Sequence, residues 1–183
     1  NQQRNAAGLI AATDLAYDAK WFTVDNYANP LPYYSGKGHM VQGNMQRAFS
    51  DFQLARDYAP FNILVLDAMV QYYAISKQPD LALAWADTAL AVSPHFKNVL
   101  LIKAELHLER KEFADALAAL NMYSARSNNQ RYLNNLAVAL RGALRTYPEH
   151  GRFKPMMEHL QNSGNLQQPM DYINAYRQKR GVN

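Results

Sequence analysis

Three observations predict an all-α chain of tandem antiparallel helix hairpins. Pro60 and Pro94 each close an apolar helical stretch, and they stand 34 residues apart. Shifting the chain by that interval superposes like on like: Gly36, Val70 and Ala104 form one column, Ala48, Ala82 and Ala116 a second, Phe52, Ala86 and Leu120 a third, Ala55 and Ala89 a fourth. The composition, 49% apolar and 19% charged over 183 residues, belongs to a single domain able to bury a core of its own. A fixed period of this length takes precedence over any local reading, because it changes the whole fold assignment.

Residues 1–28 open the chain with a helix from Arg4 to about Lys20, carried by Leu9, Ile10, Leu15 and Ala16 and weakened at Gly8. An ordered irregular stretch follows from Phe22 to Pro32, where two prolines and several turn formers oppose regular structure. Residues 29–128 are the three hairpins. In the first, Gly36 lets two helices approach closely, Gly43-Asn44 makes the turn, and Ala48, Phe52 and Ala55 share one face at i, i+4 and i+7. In the second, Asn62 caps a helix whose buried stripe is Leu66, Met69, Val70 and Tyr73. Its turn runs from Lys77 to Asp80, Pro79 suits the first turn of the next helix, and Leu81 to Leu90 forms that helix. The third spans His95 to Asn128, with Leu100, Ala104 and His107 on one helix and Phe113, Ala116, Leu117 and Leu120 on the other.

Residues 129–183 read as a C-terminal helical cap. Arg131 to Thr146 is a helix with Leu133, Leu136, Ala137, Leu140 and Leu144 on one side, stopped at Tyr147-Pro148. Two more helices, about Phe153 to Gln161 and Pro169 to Lys179, add Met156, Leu160, Met170 and Ile173 to the apolar side. An array of hairpins leaves an apolar face open at its end, and a cap with a polar exterior closes it.

The recurring pattern of a small residue in the first helix, an aromatic near its end, then small, aromatic, small and a closing proline resembles the tetratricopeptide repeat. The resemblance covers residues 29–128 and implies a right-handed α-superhelix with a concave inner surface. Three positions depart from it. The turn glycine is Lys77 in the second hairpin and Lys111 in the third, Lys103 stands at a usually apolar position, and Asn128 replaces the closing proline. These departures predict a less regular third hairpin or a Lys103 that snorkels out of the packed face.

A narrower resemblance rests on Trp21 to Asp25, Pro30 to Gly36 and Ala48 to Leu66. These stretches are similar to the soluble C-terminal region that follows the membrane helices of bacterial O-antigen ligase and polysaccharide polymerase proteins, except that Ser35 stands where that pattern has arginine. The resemblance implies a membrane-bound parent with this domain on the periplasmic or extracytoplasmic face. It also implies that the ligase chemistry lies in the parent's membrane region. The lack of an initiating Met and of a signal-like apolar run agrees with a segment of a longer protein, and the longest apolar stretch, Asn62 to Val70, is far short of a bilayer span.

The net charge of +4 is unevenly distributed. Residues 1–128 carry 11 basic against 12 acidic side chains and residues 129–183 carry 8 against 3, so a nucleic-acid footprint over the surface is not expected. Zero cysteines remove thiol chemistry and cysteine-ligated metals. His39, His95, His107, His150 and His159 are scattered without zinc spacing, and His107 falls at the aromatic position of the repeat, where packing outweighs ligation. Gly36-Lys-Gly38 with Gly43 fits no phosphate-loop spacing, Ser35 lacks a nucleophile elbow, and the pairs Glu105/Glu109 and Glu109/Glu112 are ordinary helix-surface neighbours. The chain is therefore expected to be non-catalytic and to need no cofactor or metal.

The array offers a concave wall instead. The overlay places Tyr33 and Lys37, Asp67 and Gln71, and Leu101 and Glu105 at exposed groove positions of the three hairpins. This mixture suits an extended peptide or a glycan, and it equally suits a solvated wall. Tyr33 and Tyr34 are candidates to stack on a sugar ring, and equally one of them belongs to the core, since adjacent helical residues point about 100° apart. Two functions follow as expectations: an interaction domain of an envelope polysaccharide protein, or a free-standing cytoplasmic adaptor for a peptide segment. Asp67 and Glu105 stand where the carboxylate clamp of such adaptors needs positive or neutral groups, which counts against the second.

Overall fold

The computed structural model of the chain describes residues 2–16, 24–25, 28–123 and 129–146. Among these it is all-helical. In order come α1 (Gln2–Ala16), α2 (Leu31–Val41), α3 (Met45–Tyr58), α4 (Ile63–Ile75), α5 (Pro79–Val92), α6 (Lys97–Glu109), α7 (Phe113–Tyr123) and α8 (Gln130–Thr146). The one trace of extended pairing among the described residues is an isolated antiparallel bridge between Val24 and Pro30. Two compact units meet in sequence between Pro94 and His95, the first holding α1 to α5 and the second α6 to α8. The two predicted helices at 153–161 and 169–179, the Asn128 closing position, the 17–20 end of the first predicted helix and most of the 22–27 stretch lie outside the described residues.

The 34-residue period is written into the backbone. Gly43, Lys77 and Lys111 all adopt the left-handed region, at φ 80°, 56° and 61°. Around each, the next amide (Asn44, Gln78, Glu112) donates back to the carbonyl of His39, Tyr73 or His107 at 2.9 Å. The left-handed residues themselves donate to Met40, Ala74 and Leu108 at 3.1, 3.2 and 3.0 Å. These paired bonds satisfy carbonyls that a helix end leaves open and stop α2, α4 and α6 at equivalent points. The third hairpin therefore turns like the others, against the expectation of irregularity there. The reason is that a lysine tolerates the left-handed region once both return bonds are made.

Within the first unit, α2 pairs with α3 and α4 with α5, while α4 also packs on α2 and α3. The small-residue columns are the contact points. A Cβ on Gly36 would lie 2.5 Å from Phe52 Cε1, and Ala48, Phe52, Ala55, Ala82, Ala86 and Ala89 are fully buried. Asn62 caps α4 as expected, its Oδ1 accepting from the Leu64 and Val65 amides. Helix α1 lies on α2, with Ile10 and the Ala6 carbonyl against Gly38. Leu15 is not part of that contact: it is 90% exposed, because Ala6, Ile10 and Thr13 form the docking side.

In the second unit α8 packs on both α6 and α7, the relation that α4 bears to α2 and α3. Its buried side is Tyr132, Leu136, Ala139, Leu140 and Ala143, which keeps Leu136 and Leu140 of the predicted stripe but leaves Leu133 exposed. Two aromatic contacts set this rotation. Tyr132 stacks on Tyr123 with ring centroids 4.9 Å apart, and the ring of Phe113 occupies the space where a Gly142 side chain would be.

Candidate functional site

In the first unit the structure brings Tyr33, Lys37, Asp67 and Gln71 together. Lys37 and Gln71 are one period apart on α2 and α4, and Lys37 Nζ donates to Gln71 Oε1 at 2.8 Å. Gln71, one turn beyond Asp67, donates Nε2 to Asp67 Oδ2 at 2.6 Å. The result is a ladder from cation through amide to carboxylate. Burial pushes the Lys37 ammonium below its ordinary value, and the Asp67 charge pulls it back up. Burial raises the Tyr33 hydroxyl, and Asp67 raises it further. Asp67 is itself buried rather than exposed as the overlay placed it, with the Gln71 amide bonded to its carboxylate.

Neither tyrosine of the Tyr33-Tyr34 pair projects freely. Tyr33 packs against the Phe52 and Met69 core, edge-on to Tyr34. The Tyr34 hydroxyl donates to Asp25 Oδ2 at 2.6 Å. Asp25 also accepts from the Asn29 amide and from Asn29 Nδ2, and the Asn62 side chain donates to Asn29 Oδ1. Asp25, Asn29, Tyr34 and Asn62 thus build a polar clasp at the start of α2.

The remaining two groove positions, in the second unit, are engaged internally. Leu101 is 4% exposed, a correction to its predicted place on an open wall. It lies on the face of α6 between Asn98 and Glu105, and both of these hold Arg131 of α8. The Arg131 fork meets both Glu105 oxygens, at 2.6 and 2.5 Å, and Asn135 Nδ2 adds a third bond at 3.0 Å. Burial alone would raise the Glu105 carboxyl. The bonds from Arg131 and Asn135 outweigh it and hold the group below its ordinary value.

Two juxtapositions were not legible in the chain because they cross helices at separations unrelated to the period. His107 Nδ1 lies 2.6 Å from Glu112 Oε2 across the turn, and with Asp115 their ligand atoms fall within 4.8 Å. A cation there would face the positive end of α7, so the group reads as a turn clamp, with His107 tied to Glu112 across the turn. Ser35 Oγ donates to Asp51 Oδ2 at 2.8 Å, with His39 Nε2 3.8 Å from the same oxygen. The carboxylate separates hydroxyl from imidazole, the reverse of what activates a serine nucleophile. His150 and His159 lie outside the described residues. No helix among the described residues is long and apolar enough to cross a membrane. No protein-family model, curated protein or solved structure matches the chain.

Proposed function

We propose that this chain is a non-catalytic interaction module of tetratricopeptide type, serving as the extracytoplasmic C-terminal region of an O-antigen-ligase-like envelope polysaccharide protein. The observation that carries the reading is the left-handed turn repeated at Gly43, Lys77 and Lys111 with the same pair of return bonds. A module of this type uses the faces of the first helices of its hairpins for binding. In the first unit that face carries the Lys37–Gln71–Asp67 ladder, a polar set more elaborate than packing needs. Ladders of this kind recognise the alternating donors and acceptors of a peptide backbone or a glycan.

The test is the triple variant Tyr33→Ala, Lys37→Glu, Gln71→Ala. It should retain helicity while losing capture of its partner from envelope extract, and capture of the same partners by the variant would overturn the assignment of this face. The envelope placement is tested separately, since the full-length parent should fractionate with membranes. A full-length protein found in the cytoplasmic fraction would favour the adaptor reading instead.

A further inference from the structure

A cleft of about 220 Å³ opens between α1, α2 and α3, lined by Thr13, Asp14, Pro32, Ser35, Asp51 and Leu54. Among the described residues its polar wall offers acceptors only. The Thr13 hydroxyl proton is spent on the Leu9 carbonyl at 2.7 Å, and that of Ser35 on Asp51 Oδ2. Pro32 has no N–H to offer. Asp51 Oδ1 and both oxygens of Asp14 accept no hydrogen bond among the described residues. Asp14 stands in the last turn of α1, which contains no basic side chain, so the negative end of the helix adds to its charge. Burial raises the Asp51 carboxyl, as does the Asp14 charge; Ser35, His39 and Arg47 act in the opposite direction. Pro32 and Leu54 add aliphatic surface to the lining.

We propose that this cleft receives one basic side chain of a partner peptide, with the methylene stem on Pro32 and Leu54 and the ammonium or guanidinium between Asp14 and Asp51. An acceptor-only wall needs a ligand with several donors, and a cation on an aliphatic stem supplies both halves of the match. A bare metal ion fits less well. Among the described residues, no three His, Asp or Glu ligand atoms on this cleft come within 4.8 Å of one another, and the aliphatic wall would be left uncovered. The site is separate from the Lys37 ladder and stands whether or not that face binds.

The experiment titrates the isotopically labelled chain with capped Gly-Ser-Gly-X-Gly-Ser-Gly peptides, X being lysine, arginine or Nε-acetyl-lysine, and follows amide resonances by NMR. Lysine and arginine peptides should shift Ser35 and Asp51 with an affinity on the order of 1 mM, as one side chain supplies only about 4 kcal/mol. The acetylated peptide should shift neither. Asp14→Asn, an exposed position that leaves the fold intact, should weaken binding about tenfold, the worth of one charged hydrogen bond. Asp51→Asn should do the same, read only if its melt matches the parent. Absent shifts up to ~10 mM peptide, at which a site of millimolar affinity would be mostly filled, overturn the proposal. So do equal shifts from the acetylated peptide, undiminished binding by Asp14→Asn, or displacement of the lysine peptide by Mn²⁺ alone.

Discussion

Lys77 holds at φ 56° the left-handed turn that Gly43 holds at 80° one period earlier, and the amides that follow them return to Tyr73 and His39 over the same 2.9 Å. A side chain in this region costs roughly 1–2 kcal/mol. The lysine charge beside the C-terminal end of α4 returns a few tenths of that. The hairpin is therefore stable enough, through its packed alanines, to impose the turn on an unfavourable residue.

Lys77→Gly and Lys111→Gly should each stabilise the chain by about 0.5–1 kcal/mol, the relief of the Cβ being partly offset by the greater freedom of glycine in the unfolded state. Gly43→Ala should lose about 1 kcal/mol, although nothing lies within 4 Å of its Cβ site, because φ 80° strains any side chain. Urea midpoints check this, and destabilisation by both lysine replacements would show that the lysines hold the turns by contacts of their own.

Glycine to alanine should have opposite signs at two helical positions. A Cβ added at Gly8 would meet nothing within 4 Å, so Gly8→Ala should gain up to about 1 kcal/mol from helix propensity. At Gly36 the added carbon meets the fully buried Phe52 ring at 2.5 Å and the Ala48 carbonyl at 3.2 Å. Gly36→Ala should therefore cost about 1–3 kcal/mol by overpacking, and Ala82→Leu a similar amount. A thermal melt in which Gly36→Ala matches the parent would contradict the α2–α3 contact.

The fold was legible because small residues recur at one interval and the packing of hairpins uses each of them, from Gly36 on Phe52 to the buried Ala48, Ala82 and Ala116. The turn positions were legible by the same count, with Lys77 and Lys111 standing where Gly43 does, but their left-handed conformation was not, since a lysine carries no glycine signal. At the candidate site, period counting put Lys37 and Gln71 at equivalent open positions, and the structure joins the two by a hydrogen bond that the count did not foresee. It failed at Leu101 because counting within a repeat says nothing of α8, whose Arg131 fork closes over that face. Ser35 with Asp51 and His107 with Glu112 are separated by 16 and 5 residues, and no periodicity points to either.

The hydroxyl of Tyr132 is buried without a hydrogen-bond partner among the described residues, while its ring stacks on Tyr123. Burial raises this hydroxyl's pKa, and the Tyr123 neighbour raises it further. Tyr132→Phe keeps the stack and removes an unsatisfied polar atom, so the variant should gain about 1 kcal/mol. A loss of that size in a denaturant melt would mean the oxygen is bonded after all, and the stacked geometry would have to be revised.

The Glu105–Arg131 fork should make the second unit acid-sensitive. Glu105 is held below its ordinary value, so its contribution is present above the pKa of an unfolded glutamate, about 4.3, and is lost as pH falls through the lower folded value. Both partners are partly exposed, at 44% for Arg131 and 34% for Glu105, which limits the fork to about 1 kcal/mol despite its two-pronged geometry. Glu105→Gln should accordingly be less stable than the parent by up to that amount near pH 7, and the gap should close below about pH 4 as the parent carboxylate takes up its proton. Arg131→Met should show the same trend, and the double variant should lose less than the two single losses combined, because either change already breaks the fork. If the gap between parent and Glu105→Gln persists unchanged into acid, the loss stems from packing around Asn135 and not from the ion pair.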